Sequence, residues 1–98
     1  MNITKNQDAD RLTITLEGRL DTTTAPQLEG ELRTAVNGIT KLVFDMEKLE
    51  YISSAGLRVL LTAKKVMNRQ GEMKIVNVTP EIREIFEVTG LDEILNVE

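Results

Sequence analysis

Short apolar segments that alternate with helical patterns constrain the fold of this chain most. Residues 41–45 and the later Met73, Ile75 and Val76 are strongly apolar and lie between polar or turn-forming flanks. Such segments are typical of buried strands, and parallel strands of one sheet are joined through a helix. The sequence therefore predicts an α/β fold whose later strands are linked by right-handed crossovers.

An N-terminal hairpin is expected to precede these crossovers. Residues 12–16 alternate Leu, Thr, Ile, Thr and Leu, which indicates a strand with one buried face. Ile3 belongs to an earlier strand, and the Asp-Ala-Asp segment at 8–10 predicts the turn between the two. The expected fold is a small mixed β-sheet with helices packed on it, formed as a single domain over residues 1–98.

Three helices are expected from apolar residues that recur at helical spacing. They are placed at about Ala25–Val36, from the Ser53–Gly56 region to Gln70, and from Pro80 to Thr89. Their expected core positions are Leu28, Leu32, Ala35 and Val36; Leu57, Val59, Leu60, Leu61, Ala63, Val66 and Met67; and Ile82, Ile85, Phe86 and Val88. Residues 46–50 are interpreted as a polar connection, whereas Leu91, Ile94 and Leu95 are expected to cover a remaining sheet edge.

The composition excludes several classes of function. The chain has no Cys and no His, so it lacks the usual thiolate and imidazole groups of catalysis and metal binding. A net charge of -4 and an aromatic fraction of 3% argue against direct contact with nucleic acid. No apolar run is long enough to cross a membrane, and residues 1–5 do not resemble a secretion signal. We therefore expect a cytoplasmic protein that is not an enzyme and has no metal or other cofactor.

Two hydroxyl groups and a glycine lie at the start of the most apolar helix, within residues 51–58 (YISSAGLR). A helix N-terminus has unpaired N–H groups and a partial positive charge, so it favours an anion. A phosphate on Ser54 would be stabilised there, and Arg58 lies one turn further along. The simpler interpretation is that Ser53 or Ser54 only caps the helix. Gly56 would then permit close packing, and Arg58 would be a solvated surface residue.

Two carboxylates follow predicted strands, Asp21 after the second and Asp45 after the third. Ligands bind at such strand ends in α/β sheets, which would place both residues beside the start of the helix at Ser54. The alternative is that each carboxylate accepts hydrogen bonds from its own loop or caps the next helix. A metal site is not indicated, because the sequence has no dense carboxylate loop. A serine hydrolase is also disfavoured, since Ser-Ser-Ala-Gly differs from the nucleophile elbow and no His is present.

Five segments, in order along the chain, match the pattern of one known family. They are Gly18-Arg19-Leu20-Asp21, Leu42-Val43-Phe44-Asp45, Tyr51–Leu57, Gly71-Glu72-Met73 and Val88-Thr89-Gly90-Leu91. With these segments the whole chain resembles the STAS family, and most closely its single-domain bacterial members, the anti-sigma factor antagonists. The resemblance implies a STAS-like fold and a regulatory protein.

The resemblance also implies a site. The phosphoacceptor serine of the family corresponds to Ser54, two positions before Gly56, while Ser53 replaces the usual aspartate and Arg58 a frequent glycine. The expected partner-binding residues are Ser53, Gly56, Leu57, Arg58, Asp21 and Thr22. In the family, the unphosphorylated antagonist binds a GHKL-type anti-sigma serine kinase and so releases a sigma factor. Phosphorylation by that kinase breaks the complex, and a serine phosphatase restores it.

Two other functions remain open at this point. Some STAS domains are constitutive adaptors of regulatory or transport complexes, and such an adaptor would dock through the same helix without being phosphorylated. A small nucleotide-binding protein or hydrolase is the least favoured alternative.

Overall fold

The computed structural model describes all of residues 1–98 and contains one five-stranded sheet and four helices. The strands are β1 (Asn2–Asp8), β2 (Arg11–Leu20), β3 (Lys41–Asp45), β4 (Leu49–Ile52) and β5 (Glu72–Val76). The helices are α1 (Ala25–Ala35), α2 (Ser54–Gln70), α3 (Pro80–Val88) and α4 (Leu91–Ile94). The predicted mixed α/β fold is confirmed. None of these helices combines the length and the apolar character needed to span a bilayer.

The sheet joins one antiparallel pair to a parallel set. β1 pairs antiparallel with β2 across a tight turn in which Ala9 has a φ of 56°. β3 and β5 then follow in parallel, in the order β1-β2-β3-β5, and β4 pairs in parallel with the end of β2. Helix α1 connects β2 to β3 and helix α2 connects β4 to β5, which are the crossovers that the sequence predicts.

The strand β4 corrects the interpretation of residues 46–50 as a polar connection. Met46 and Leu49 are 0% and 2% exposed, and the segment from Leu49 pairs with residues 18–20 of β2. The register of this pairing shifts between Gly18 and Arg19, so β4 continues along β2 beyond the point where β3 ends. As a result, β4 delivers the chain directly to the start of α2, next to the end of β2.

A single hydrophobic core of 24 residues lies on one face of the sheet. Leu12, Ile14 and Leu16 of β2 contribute to it together with residues from α1, α2 and α3, which confirms that the helices pack on the sheet. Val43 is also buried but lies outside this core, because strand alternation points it to the opposite face.

Three predicted apolar positions lie at the edge of the core or outside it. Val88 is 79% exposed because it follows the buried Phe86 by only two residues, which at 3.6 residues per turn is the far side of the helix. Ile94 is 54% exposed and Val66 is 36% exposed. Leu95 is fully buried, and Val97 forms a bridge to Ile75 of β5, so the C-terminal segment does cover that sheet edge.

Candidate functional site

The start of α2 is fixed by hydrogen bonds of Ser53. Its extended backbone makes it the N-cap, and its Oγ accepts a bond of 3.5 Å from the N–H of Gly56. The Ser53 N–H donates to the carbonyl of Leu20 at 2.9 Å, which ties the cap to the end of β2. The Ser53 carbonyl accepts the N–H of Leu57 at 3.0 Å and so begins the helical hydrogen bonds. The simpler interpretation of a capping serine therefore holds for Ser53.

Ser54 is different, because it is the first residue of the helix and is exposed. Its hydroxyl makes no hydrogen bond within the chain. The N–H groups of Ser54 and Ala55 are the first of α2 and have no acceptor in the helix. A free hydroxyl thus lies at the positive end of the longest helix, where added negative charge is favoured.

Gly56 and Leu57 lie beneath this exposed turn. A Cβ on Gly56 would lie 2.7 Å from Cγ of Leu20 and 3.0 Å from Cγ1 of Ile52, so only glycine lets α2 approach β2 and β4 this closely. Leu57 is buried in the core. Both residues therefore position the backbone around Ser54.

The carboxylate of Asp21 is engaged in its own loop. Its Oδ1 accepts bonds from the Thr23 hydroxyl at 2.8 Å, the Thr23 N–H at 3.0 Å and the Thr24 N–H at 3.2 Å. The hydrogen bond from the Thr23 hydroxyl, helped by the backbone N–H donors, holds the pKa of Asp21 below its ordinary value. The Thr24 hydroxyl in turn donates to the carbonyl of Arg19 at 2.8 Å. These bonds fix the turn that leads from β2 into α1.

Thr22 and Arg58 line one surface cavity of about 200 Å³ with Ala55, at the place where the start of α1 meets the first turn of α2. The structure thus brings these two predicted residues together. It places Asp45 in a different environment, where its Oδ1 accepts bonds from the Glu47 N–H at 3.1 Å and the Asn77 side chain at 3.3 Å. No group of three or more carboxylates in the chain could hold a metal ion.

The sequence analysis missed an exposed pair of side chains on β2 and β4, Arg19 and Tyr51. The guanidinium carbon of Arg19 lies 4.3 Å from the ring centroid of Tyr51, a cation–π contact between β2 and β4. The Arg19 Nε is also 3.7 Å from Oδ2 of Asp21, and Tyr51 is 39% exposed. The pair flanks the junction at which the Ser53 N–H donates to the Leu20 carbonyl, because Arg19 directly precedes Leu20 and Tyr51 lies two residues before Ser53.

This chain has the arrangement of a STAS domain. It combines an antiparallel hairpin, two βα crossovers and a helix α2 that begins at a serine. The STAS domain family matches this chain over residues 1–98, and the chain belongs to that family.

Curated relatives carry regulatory names. The chain is 40% identical over 99 residues to BtrV of Bordetella bronchiseptica, which is provisionally named an anti-sigma factor antagonist; the match covers 99% of this chain and 85% of BtrV. It is 32% identical over 104 residues to the anti-sigma-B factor antagonist of Listeria monocytogenes, with 100% of this chain and 90% of that protein covered.

Solved structures share the fold. An anti-sigma factor antagonist from Mycobacterium paratuberculosis matches with a TM-score of 0.88 at 24% identity, over 98% of this chain and 83% of that one. The antagonist SpoIIAA in its unphosphorylated form matches with a TM-score of 0.74 at 20% identity, over 95% of this chain and 97% of that one.

Proposed function

We propose that this chain is an anti-sigma factor antagonist whose binding to an anti-sigma serine kinase is switched by phosphorylation of Ser54. The observation that carries the proposal is the exposed, unbonded hydroxyl of Ser54 at the start of α2, in a chain whose relatives are named anti-sigma factor antagonists. The unphosphorylated protein binds the GHKL-type kinase and thereby releases a sigma factor. The antagonist itself is a binding protein and catalyses no reaction.

Two features of the first turns of α2 support Ser54 as the acceptor. The kinase transfers the γ-phosphoryl group of ATP to the Ser54 Oγ, which loses its proton and gains a charge of about -1.5 to -2. The free N–H groups of α2 face this charge, and Arg58 follows four residues later on the same side of the helix. The new group therefore breaks no existing side-chain bond of Ser54, and it acts on the partner without refolding the domain.

The surface around Ser54 has two layers with different roles. The first layer consists of the exposed side chains of Tyr51, Arg19, Thr22 and Arg58, which lie on the elements that meet at the start of α2, and it contacts the kinase directly. Beneath them, hydrogen bonds and close packing hold the backbone in place. The residues of this second layer are Ser53, Gly56, Leu57 and Asp21. Phosphate at the centre of the first layer repels a kinase surface that is shaped for a neutral hydroxyl.

A solved relative supports the chemistry of the switch. SpoIIAA has been solved in a phosphorylated form, which matches this chain with a TM-score of 0.76 at 22% identity over 94% of the chain. The same fold therefore accommodates a phosphorylated state in that protein. A serine phosphatase would return the present chain to its binding form.

Binding of Ser54 variants to the cognate kinase tests the proposal. Ser54→Asp is expected to weaken binding by about 100-fold or more in calorimetry, because it places a charge against a surface that accepts a hydroxyl. Ser54→Ala is expected to bind within a few-fold of the natural protein. If Ser54→Asp bound as tightly as the natural protein, the chain would instead be a constitutive STAS adaptor.

A further inference from the structure

A groove runs between α1 and α2 and extends well beyond the Ser54 site. One part of it, a cavity of about 280 Å³, adjoins the smaller cavity that Thr22 and Arg58 line. The two cavities share Glu29, Val59 and Thr62 in their walls, so they form a continuous surface feature. Its apolar lining comes from both helices and consists of Leu32, Val36, Val59, Ala63 and Val66. The groove is thus concave, and apolar side chains of both helices form part of its wall beside polar ones such as Thr62 and Gln70.

All the charged side chains of α2 are positive. The helix carries Arg58, Lys64, Lys65 and Arg69 and no acidic residue, in a chain whose net charge is -4. None of these four cations lies within 4.0 Å of a carboxylate, whereas five other basic side chains of the protein do form ion pairs. Glu29, the one acidic residue in the lining, is paired with Arg33 at 3.4 Å. Arg58 lines the groove itself, and Lys65 and Arg69 line a neighbouring depression that shares Thr62, Val66 and Gln70 with the groove wall. These three residues form a cationic edge of the groove that has no ion-pair partner within the chain.

The spacing of these cations matches a helical partner. Arg58, Lys65 and Arg69 follow one another at intervals of seven and four residues, which places them on one line along α2. At a rise of 1.5 Å per residue this line is about 16 Å long, or three helical turns. A partner helix of similar length could place carboxylates against it while its apolar side chains enter the groove.

We propose that the α1–α2 groove is a second docking surface, which binds an acidic amphipathic helix of another protein. An anionic lipid surface fits less well, because Val66 is the one large apolar side chain exposed on α2 and the apolar surface is concave. A nucleic acid fits less well because no aromatic side chain lines the groove. This docking surface shares Thr22 and Arg58 with the Ser54 site but extends along α2 beyond it, and its binding does not depend on phosphorylation of Ser54.

Photo-crosslinking in the cell that naturally expresses the chain tests this proposal. A photoreactive benzoylphenylalanine replaces Val66 at the groove, and in a control variant it replaces Asn6, which is exposed on β1. The crosslinked peptides are identified by mass spectrometry. The same experiment is repeated with Lys65→Glu and Arg69→Glu combined, two exposed side chains without an ion-pair partner whose exchange should leave the fold intact. Thermal unfolding of the double variant checks that its fold is intact.

The expected result is a crosslink from position 66 to an acidic amphipathic segment of another protein. It should be absent at position 6, fall at least about tenfold with the two charge reversals, and persist with Ser54→Asp. No crosslink above the control would overturn the proposal. A crosslink to a second copy of this chain, to lipid, to nucleic acid or to a basic segment would also overturn it. The same holds for a crosslink whose yield the two charge reversals leave unchanged. Because the crosslink is expected to persist with Ser54→Asp, failure of this proposal can be distinguished from failure of the Ser54 switch, which is tested by measuring kinase binding.

Discussion

Gly56 packs directly against Leu20, so closely that a Cβ on the glycine would lie 2.7 Å from the Cγ of the leucine. This contact sets the first turn of α2 on the end of β2. The neighbouring bond from the Ser53 N–H to the Leu20 carbonyl, 2.9 Å long, fixes the same junction through the backbone. The position of the Ser54 hydroxyl is therefore determined by the end of β2, a strand more than thirty residues earlier in the chain.

Gly56→Ala is expected to lower the free energy of unfolding by about 1 kcal/mol. Overpacking of a core costs about 1–3 kcal/mol, and alanine gains roughly 1 kcal/mol over glycine within a helix, so the middle of the range leaves a net loss of about 1 kcal/mol. Gly30→Ala is the matched control, because Gly30 lies in the interior of α1 with no atom within 4 Å of its Cβ position. That variant should be more stable by up to about 1 kcal/mol. Urea unfolding measures both, and equal effects would contradict the packing argument.

Ser53→Ala and Ser54→Ala should separate the cap from the acceptor. Loss of the Ser53 cap is expected to lower the free energy of unfolding by about 0.5–1 kcal/mol, at the low end for an N-cap because its bond is 3.5 Å long. Ser54→Ala should change it by less than about 0.5 kcal/mol, since that hydroxyl has no partner in the chain. Denaturant titration of both variants checks this, and a loss for Ser54→Ala as large as for Ser53→Ala would contradict the assignment.

The stability that Asp21 contributes should be lost on acidification. Its pKa is lowered in the folded protein, chiefly by the Thr23 hydroxyl, so the contribution is fully present above the ordinary value of about 3.8 and disappears as pH falls through the folded pKa. Asp21→Asn should therefore flatten the dependence of stability on pH below about 4. Carboxyl NMR titration should show that Thr23→Val raises the pKa of Asp21. Thr22→Val is the control, because its hydroxyl makes no bond to Asp21, and an equal rise in that variant would show that the Thr23 hydroxyl is not what lowers the pKa.

Tyr51 is predicted to contribute to kinase binding more than to stability. Tyr51→Ala removes the cation–π contact with Arg19, which for an exposed pair is worth about 0.5–1 kcal/mol. It also removes an exposed aromatic ring beside Ser54, so we expect kinase binding to weaken by about tenfold or more. Tyr51→Phe keeps the ring and should bind within a few-fold of the natural protein. Calorimetry with the cognate kinase distinguishes these results, and unchanged binding by Tyr51→Ala would exclude the ring from the interface.

The sequence predicted those parts of the fold in which one local pattern extends over many residues. The alternation at residues 12–16 and the helical spacing in α1 give β2 and α1 with bounds close to those observed. The strand β4 was missed because it is only four residues long and its burial depends on pairing with β2 and on the helices above it. Val88 was misplaced because α3 is a short helix, in which Ile82 and Phe86 alone define the buried side.

The residues of the site also divide into those that a local pattern reveals and those that depend on contacts between distant segments. Ser54 and Arg58 are four residues apart on one helix, so sequence reasoning could pair them. The contact between Arg19 and Tyr51 depends on the register of β2 against β4, which shifts just before Arg19 and leaves no signal in the local sequence. The engagement of Asp21 by Thr23 and Thr24 was foreseen only as one of two alternatives, because the choice depends on the conformation of the loop.

Mapping of phosphate on the intact protein tests the central claim most directly. One sample is purified from the native cell, and a second is incubated with the cognate kinase and ATP. Mass spectrometry then measures the intact mass of each sample and locates any phosphate by fragmentation. Our account predicts one phosphate, located on Ser54, absent from Ser54→Ala and still present in Ser53→Ala. A phosphate on Ser53 or on another residue, or no phosphate after incubation with the kinase, would contradict the proposed switch.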